Sequence, residues 1–292
     1  DGYKRQGKNA YSGKIKKTFK ITAYDISRVK ISLEKSYSYM KGGCKPEPIV
    51  KFGSQTLKAG TDYTLAYKQN NAAGSQAVLT IKGKGNFTGS ATKEYEIATQ
   101  DIGKLTVTAV DKVYQDKKNI YKTTVQVTDI NGKRLAAGKD YDKNMEYSYA
   151  ERTRINNAYK KPGDPVGVDD IIPAGTKINV KITAKGRDYS GEISGTYRIT
   201  AASITKAKVS IKDQTYTGKA IELDTKADPQ AVYVEVNGIA LKPEEYEIVA
   251  GSYSNNINKG TAKVEIRGLG NYGGTKTATF KIKGKGLGLF GL

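Results

Sequence analysis

Histidine and tryptophan are absent from this 292-residue chain, and cysteine occurs once, at Cys44. Without histidine, the chain can form neither a Ser-His or Cys-His nucleophile pair nor a histidine metal site. One thiol forms no internal disulfide and no thiolate cluster, so we expect Cys44 to be buried as a small hydrophobic residue. These absences favour a protein that is not an enzyme and uses no cofactor.

Long hydrophobic runs are also missing. No stretch approaches the ~20 apolar residues that span a bilayer, so membrane insertion is not expected. The first twenty residues are polar and basic and do not resemble a signal peptide. Together with the partial repeat described below, this start predicts that the chain was cut from a longer array.

Acidic residues are few relative to basic ones, 29 against 49, which gives a formal net charge of +20. Such an excess attracts polyanions, so acidic glycans or wall polymers are one partner class. The lysines are spread along the whole chain, however, and they do not alternate with aromatic residues as in nucleic-acid-binding modules. We therefore interpret most of the charge as solvated strand faces and expect no nucleic-acid partner.

Glycine is abundant, at 32 residues, and marks a repeated turn. Residues 85–89 (GNFTG) recur at 270–274 (GNYGG), with looser copies at 186–191 (GRDYSG) and 8–13 (KNAYSG). We interpret the turn as a hairpin connection in which Gly and Asn or Asp supply positive φ.

An alternating strand follows each turn, at residues 17–21 (KTFKI), 93–97 (KEYEI), 195–199 (GTYRI) and 278–282 (ATFKI). The aromatic residue and the isoleucine are two positions apart and therefore share one face. The residue between them faces the other way, which predicts a half-buried antiparallel strand. A second alternating strand precedes the complete turns, at residues 77–81, 178–182 and 262–266.

A third marker ends in tyrosine. Residues 57–63 (LKAGTDY) match 135–141 (LAAGKDY), and 241–246 (LKPEEY) are a shorter version. We interpret Tyr63, Tyr141 and Tyr246 as structural residues at a strand corner, with the ring packed and the hydroxyl bonded to nearby backbone.

The spacing of the turns sets the length of the repeat. The turn aromatics Tyr11, Phe87, Tyr189 and Tyr272 are 76, 102 and 83 residues apart. Units of roughly 75–100 residues with many short strands are typical of a seven-stranded sandwich. We therefore predict an all-β fold of tandem immunoglobulin-like antiparallel β-sandwich domains. The predicted domains are residues 1–22 (the C-terminal fragment of a preceding repeat), 23–98 (first repeat), 99–200 (enlarged second repeat), 201–283 (third repeat) and 284–292 (tail).

Five segments of the third repeat carry a resemblance: residues 216–221 (YTGKAI), 241–246, 254–260, 268–274 and 278–282. They resemble bacterial immunoglobulin-like repeats of large secreted or wall-attached, adhesin-type proteins of Gram-positive gut anaerobes. The match covers nearly all of residues 201–283 and most of 23–98, whereas 99–200 departs in the middle. The resemblance implies a location at the cell surface or cell wall and a role in adhesion, display or spacing. It also implies a host protein as partner, with immunoglobulin as one such ligand, and it identifies no ligand-contacting residue.

The second repeat carries an insertion of about 20 residues. From the marker tyrosine to the glycine that precedes the next long strand, the chain takes 34 residues here (141 to 175), against 11 (63 to 74) and 14 (246 to 260) in the other repeats. The insertion, about 147–172, is rich in Tyr and Arg, which dominate protein-recognition hot spots. A loop this long is often functional, and a neutral insertion is the alternative. The candidate binding residues are Tyr147, Tyr149, Arg152, Arg154 and Tyr159.

The same segment contains Asp164, Asp169 and Asp170, which are candidate calcium ligands. Hard cations bind six to eight oxygens, and three scattered carboxylates supply only part of such a set. Ordinary loop aspartates are the alternative, so no metal site is assigned from the sequence.

Four functions are compatible with the sequence. The first is a segment that binds a host or bacterial protein, and the second is a passive stalk. The third is a carbohydrate-binding accessory module of a surface glycan-degrading protein, which the lack of tryptophan weakens although tyrosine can stack on sugars. The fourth is an enzyme that uses paired carboxylates, as a glycosidase does. The repeats explain nearly every patterned residue without a cleft, which favours a chain that is not an enzyme.

Overall fold

The computed structural model describes residues 3–6 and 13–284. Strands make up 47% of these described residues, and no α-helix occurs among them. The fold is all-β and consists of tandem immunoglobulin-like sandwiches, which confirms the predicted class. The described residues form two compact units, one of 3–6, 13–105, 129–143 and 183–192, the other of 106–128, 144–182 and 193–284. In the described part of the chain, no helix has the length and apolar character needed to cross a bilayer.

Each predicted repeat contains one four-stranded sheet. In the first and third repeats the two longest strands pair antiparallel, and in all three the first short strand pairs parallel with the last strand. From edge to edge the strands are Ser36–Ser38, Ser90–Ala98, Gln76–Gly83 and Tyr63–Lys68 in the first repeat; Lys112–Val113, Glu192–Thr200, Lys177–Thr183 and Glu146–Tyr149 in the second; and Gln214–Thr215, Thr275–Lys283, Gly260–Gly268 and Tyr246–Ile248 in the third.

Smaller antiparallel sheets supply the other layer. Their strands are Lys30–Ser32, Ile49–Phe52 and Gln55–Thr56; Thr106–Ala109 and Val125–Thr128; and Lys208–Ile211, Val232–Val236 and Ile239–Ala240. A short entry strand also pairs in parallel with each turn: Tyr24–Asp25 with Phe87–Thr88, Gln100–Asp101 with Tyr189–Ser190, and Ala202–Ser203 with Tyr272–Gly273. The remaining elements are the pairs Tyr3–Gln6 with Lys14–Lys17 and Thr153–Ile155 with Ala158–Lys160, and 3-10 turns at Ile26–Arg28, Ile102–Lys104 and Pro243–Glu245.

Two-residue periodicity builds the core. The aromatic residue and the isoleucine of the last strand are buried in all three repeats, at Tyr95 and Ile97, Tyr197 and Ile199, and Phe280 and Ile282. The predicted half-buried strand is therefore confirmed in each repeat. The copy at residues 17–21 differs, because Phe19 and Ile21 are exposed and no strand in the described ranges covers them.

The tyrosine-ending marker is structural. The Asp62 carboxylate accepts a hydrogen bond from the Lys58 amide at 2.8 Å and so closes the loop before the strand. The Tyr246 hydroxyl donates to the Val232 carbonyl at 2.8 Å, as expected of a tyrosine at a strand corner. Cys44 is buried, as predicted, and burial raises the pKa of its thiol.

Two sequence predictions fall on residues that are not described. The fourth copy of the turn, at 8–13, lies outside the described residues except for its last glycine. The predicted tail lies outside them from residue 285 onward.

Candidate binding hairpin and repeat joints

The insertion of the second repeat folds into a two-stranded hairpin. Thr153–Ile155 pairs antiparallel with Ala158–Lys160, and Asn156 and Asn157 connect the strands at φ 47° and 66°. Asparagine tolerates positive φ, and two such residues in succession give a turn whose twist matches that of a hairpin. The segment expected to be a long loop therefore has its own secondary structure. We call residues 153–160 the insertion hairpin.

After the hairpin, the chain returns along the outer edge of the strand Glu146–Tyr149. The Tyr149 amide donates to the Asp164 carbonyl at 3.0 Å, and the Gly163 amide donates to the Tyr149 carbonyl at 2.9 Å. An open edge strand presents unpaired backbone groups to other chains. The insertion satisfies these groups and so covers the edge of the sheet.

Buried side chains hold the insertion to the sandwich. Ile155 is 1% exposed, and it lies in the same apolar cluster as Val166, Ile172 and Tyr149. Complete burial of one such aliphatic side chain contributes roughly 1.5–3 kcal/mol relative to exposure. The insertion hairpin is thus fixed on one side by core packing.

Asp170 connects the hairpin with the sheet. Its carboxylate accepts hydrogen bonds from the Tyr149 hydroxyl and from the Gly167 amide, both at 2.7 Å. The Asn156 side-chain amide donates to the second carboxylate oxygen at 3.4 Å. Burial, and secondly the Asp170 carboxylate, raise the pKa of Tyr149 far above its usual range. A buried carboxylate needs such donors, because an unpaired charge in the interior is costly.

Two of the five predicted binding residues pack with the core of the sandwich. Tyr149 is fully buried, and Tyr147 is partly buried with its ring centroid 5.2 Å from that of Tyr121. Both lie in the strand Glu146–Tyr149 and pack with the core, so the proposed surface does not include them. Tyrosine suits both roles because its ring is apolar and its hydroxyl is polar.

The other three predicted residues lie on the exposed side of the insertion hairpin (Arg154 and Tyr159) or directly before it (Arg152). Tyr159 is 62% exposed, and the Arg152 guanidinium carbon lies 4.2 Å from the centroid of its ring. Arg154 is exposed and pairs with Tyr159 across the hairpin. A guanidinium stacked on an aromatic face gives a preformed patch with both cationic and apolar character.

The candidate calcium ligands do not come together. Within the described residues, no group of three or more carboxylate, histidine or cysteine side chains is close enough to hold a metal ion. Asp164 accepts a hydrogen bond from the Lys161 amide at 2.8 Å, and Asp169 forms an exposed ion pair with Lys118 at 3.1 Å. Asp170 is committed to the contacts described above, so the structure does not group this trio around a common point.

The turn motif has a second role that the sequence did not reveal. Within the first compact unit, the Asp188 carboxylate accepts a hydrogen bond from the Ala73 amide at 2.9 Å. The next residue, Tyr189, packs edge-on against Tyr39 with ring centroids 5.2 Å apart. This contact, the first joint, connects the turn of the second repeat with the end of the first.

The second compact unit contains the same arrangement. The Asn271 side-chain oxygen accepts a hydrogen bond from the Ala174 amide at 2.9 Å. Tyr272 packs edge-on against Tyr114 with ring centroids 5.7 Å apart. This second joint connects the turn of the third repeat with the end of the second.

These joints correct the interpretation of the turn residues. Positive φ was expected from glycine and from Asn or Asp, but only the glycines adopt it, as at Gly270 and Gly274 with φ 61° and 81°. Asn271 and Asp188 are instead positioned so that their side chains accept the hydrogen bond of the joint. The recurrence of Asn or Asp directly before the aromatic residue was the signal in the sequence.

No family model and no curated protein matches the chain. Among solved structures, the chain is similar to Drosophila N-cadherin EC1-4, with 12% identity over 89% of this chain and 76% of that chain and a TM-score of 0.19. It is also similar to a three-Ig segment of titin in a mutated variant, with 10% identity over 88% and 98% and a TM-score of 0.23. Protocadherin gammaB7 EC3-6 gives 10% identity over 96% and 82% and a TM-score of 0.21. TM-scores this low give no support to any assignment, and the fold is defined by the strand pairing alone.

Proposed function

We propose that this chain is a segment of an adhesin-type, extracellular protein at the surface or cell wall of a Gram-positive gut bacterium, and that it binds a host or bacterial protein. The proposal includes no catalytic step and no cofactor. The observation that carries it is the exposed stack of Arg152 on Tyr159, on a hairpin that is anchored in the core through Ile155.

The anchoring matters because binding costs conformational entropy. A hairpin that is already ordered loses less freedom on association than a flexible loop, so more of its contact energy becomes affinity. Arg and Tyr are the residue types that most often dominate such contacts, and here they are stacked before any partner arrives.

The charge of the patch indicates the partner's chemistry. Arg152, Arg154 and Lys161 are exposed on or beside the insertion hairpin. A complementary surface carries carboxylates around an apolar or aromatic centre, because opposite charges steer encounter and a desolvated ring provides affinity. Host immunoglobulin is the first protein to test, since the resemblance to bacterial surface repeats implies it as one such ligand.

The experiment is a quantitative pull-down with three baits. The baits are the wild-type chain, the double variant Arg152→Ser/Tyr159→Ser, and a control Arg28→Ser/Tyr233→Ser that removes an exposed arginine and tyrosine elsewhere. Each bait is incubated with host serum and with mucosal proteins, and purified immunoglobulin is tested in parallel. A glycan array is run with the same three proteins.

The proposal expects a protein that is enriched by the wild-type chain and by the control and lost with the double variant. Equal enrichment by all three baits would place binding elsewhere on the chain. Glycan binding without protein enrichment would favour the carbohydrate-binding alternative, with acidic glycans or wall polymers as ligands of the excess positive charge.

A passive spacer is the second candidate function, and the joints favour it. Asp188 and Asn271 make the same contact at successive joints, as a chain built to hold repeats in a fixed relation requires. If neither the pull-down nor the glycan array detects a ligand, the result supports a passive spacer over protein binding.

A further inference from the structure

In the four-stranded sheet of each repeat, the first strand pairs in parallel with the last strand. In the second repeat these strands are Lys112–Val113 and Glu192–Thr200, with Lys112 opposite Ile199. The chain enters the repeat before the first of them and leaves it after the last. Tension along the chain therefore pulls the two parallel strands in opposite directions along their axes, so the hydrogen bonds between them are loaded together in shear.

The end of the last strand is held from both sides in the second repeat. On one side, the Tyr114 amide, directly after the first strand, donates to the Thr200 carbonyl at 2.8 Å. On the other side, the Gly175 amide donates to the Ile199 carbonyl at 2.7 Å. We call these two bonds and the parallel pairing of the first and last strands the strand clamp.

The turn of the third repeat contacts the strand clamp of the second. The Asn271 carbonyl accepts a hydrogen bond at 2.9 Å from the amide of Ala202, where the chain leaves the second repeat. The Asn271 side chain accepts from the amide of Ala174, directly before the glycine of the clamp, and Tyr272 packs on Tyr114. One turn thus connects the outgoing chain to the segments on both sides of the last strand.

The first repeat has the same arrangement, with the turn of the second repeat in place of that of the third. The Tyr39 amide donates to the Ala98 carbonyl at 2.7 Å, and the Gln100 amide donates to the Asp188 carbonyl at 3.0 Å. The side-chain contacts of the first joint complete the set. Because different residues make the same contacts in both places, the arrangement belongs to the design of the repeat.

We propose that this segment bears tension and that each joint reinforces the strand clamp of the repeat before it. When the first strand slides past the last one, the clamp must break. At the second joint, Tyr114 must also leave Tyr272, and Ala174 must leave Asn271. The mechanical strength of a repeat then depends on the repeat that follows it. This role extends the spacer alternative, and it is independent of protein binding by the insertion hairpin, so the pull-down does not decide it.

Mechanical strength and thermodynamic stability respond to different residues in this geometry. Forced unfolding is governed by the rate of unfolding, and under tension the barrier lies at the clamp because the two strands slide before the core opens. Contacts that are still intact at the barrier contribute to the free energy of unfolding but have little effect on that rate. Tyr149 makes such contacts, since the strand Glu146–Tyr149 forms the edge of the sheet opposite the first strand.

Single-molecule force spectroscopy of the full chain, held by handles at its two ends, tests the proposal. The second repeat, residues 99–200, is the longest, so its unfolding gives the largest extension step. Asn271→Ala removes the side-chain acceptor of the second joint and lies outside the second repeat. Tyr149→Phe is the stability control, and Asn86→Ala is the control at the equivalent turn position of the first repeat. Circular dichroism verifies the fold of each variant.

At constant force, Asn271→Ala should unfold the second repeat about 3- to 10-fold faster than wild type, as expected for the loss of one neutral hydrogen bond. Asn271→Asp keeps an acceptor oxygen, as Asp188 provides at the first joint, and should match wild type. Tyr149→Phe and Asn86→Ala should leave the rate within about twofold of wild type. An unchanged rate for Asn271→Ala, or an equal acceleration by Tyr149→Phe, would overturn the proposal.

Discussion

The Asp188 carboxylate accepts a hydrogen bond from the amide of Ala73, a residue 115 positions earlier in the chain. Asn271 and Ala174 repeat this contact 97 positions apart, with the same 2.9 Å separation. The same geometry at two places, made once by a carboxylate and once by an amide, indicates that the acceptor oxygen is what both joints require.

The first prediction concerns this bond. The variant Asp188→Ala removes the acceptor and leaves the Ala73 amide without its partner. Hydrogen bonds to charged groups contribute roughly 1.5–3 kcal/mol, so amide exchange at Ala73 should accelerate about 10- to 100-fold. Exchange is measured residue by residue by NMR. The matched control is Asn86→Ala, at the same position of a turn whose side chain has no partner in the described ranges. Equal acceleration in both variants would contradict the assigned role.

The second prediction concerns Tyr149 and Asp170. Tyr149→Phe removes a hydroxyl that donates to a buried carboxylate at 2.7 Å. The carboxylate then loses one donor in the interior, and the free energy of unfolding should fall by about 1–3 kcal/mol. Urea denaturation gives the value. Tyr159→Phe, on the exposed side of the same insertion, should change it by less than about 0.5 kcal/mol. If the two substitutions have the same effect, Asp170 does not depend on Tyr149.

The third prediction concerns alkaline stability. Burial raises the pKa of Tyr95 to about 12, and burial also raises the pKa of Tyr63 and of Tyr246. In the unfolded chain, tyrosine ionises near pH 10. Below that pH both states are neutral and the stability is full. As the pH rises from about 10 towards 12, the unfolded state loses protons that the folded state keeps, so the free energy of unfolding falls.

Urea denaturation between pH 6 and 11.5 checks this, with tyrosinate absorbance recorded in parallel. The chain has no histidine, so the free energy of unfolding should be flat from about pH 6 to 8. Stability that is unchanged up to pH 11.5 would mean that these tyrosines ionise as freely in the folded protein as in the unfolded chain.

The fourth prediction concerns calcium. Asp164, Asp169 and Asp170 are engaged separately, with a backbone amide, a lysine and a buried hydroxyl. A ligand that binds only the folded state raises the melting temperature. We therefore expect the same melting temperature in millimolar calcium and in excess chelator. A higher melting temperature in calcium than in chelator would show that the folded chain binds the ion.

Local patterns in the sequence are sufficient to predict the sheet strands and which of their faces is buried. The alternation around Tyr95 and Ile97 predicts their shared buried face, because side-chain direction in a strand depends only on position along it. Tyr147 and Tyr149 follow the same alternation, and this signal was available. Their place in a Tyr- and Arg-rich insertion favours a binding role, but tyrosine composition does not separate a core residue from a binding residue.

Local sequence patterns do not predict contacts that depend on the tertiary arrangement of the chain. The bond of Asp170 to Tyr149 forms only once the return segment lies along the strand edge. The joint contact of Asp188 depends on where the first repeat ends, and no local pattern encodes that position. The asparagine pair at 156–157 adopts the positive φ values of a hairpin turn, which the composition of the insertion does not indicate by itself.

The most direct test of the binding account is the affinity of the insertion hairpin for the protein that the wild-type bait enriches. Surface plasmon resonance would compare the wild-type chain with Arg152→Ser/Tyr159→Ser and with the control Arg28→Ser/Tyr233→Ser. The loss of a single hot-spot residue costs about 2 kcal/mol or more, so the double variant should bind at least about 30-fold more weakly while the control stays within about twofold. An affinity of the double variant within about twofold of wild type would contradict the claim that this hairpin is the binding surface.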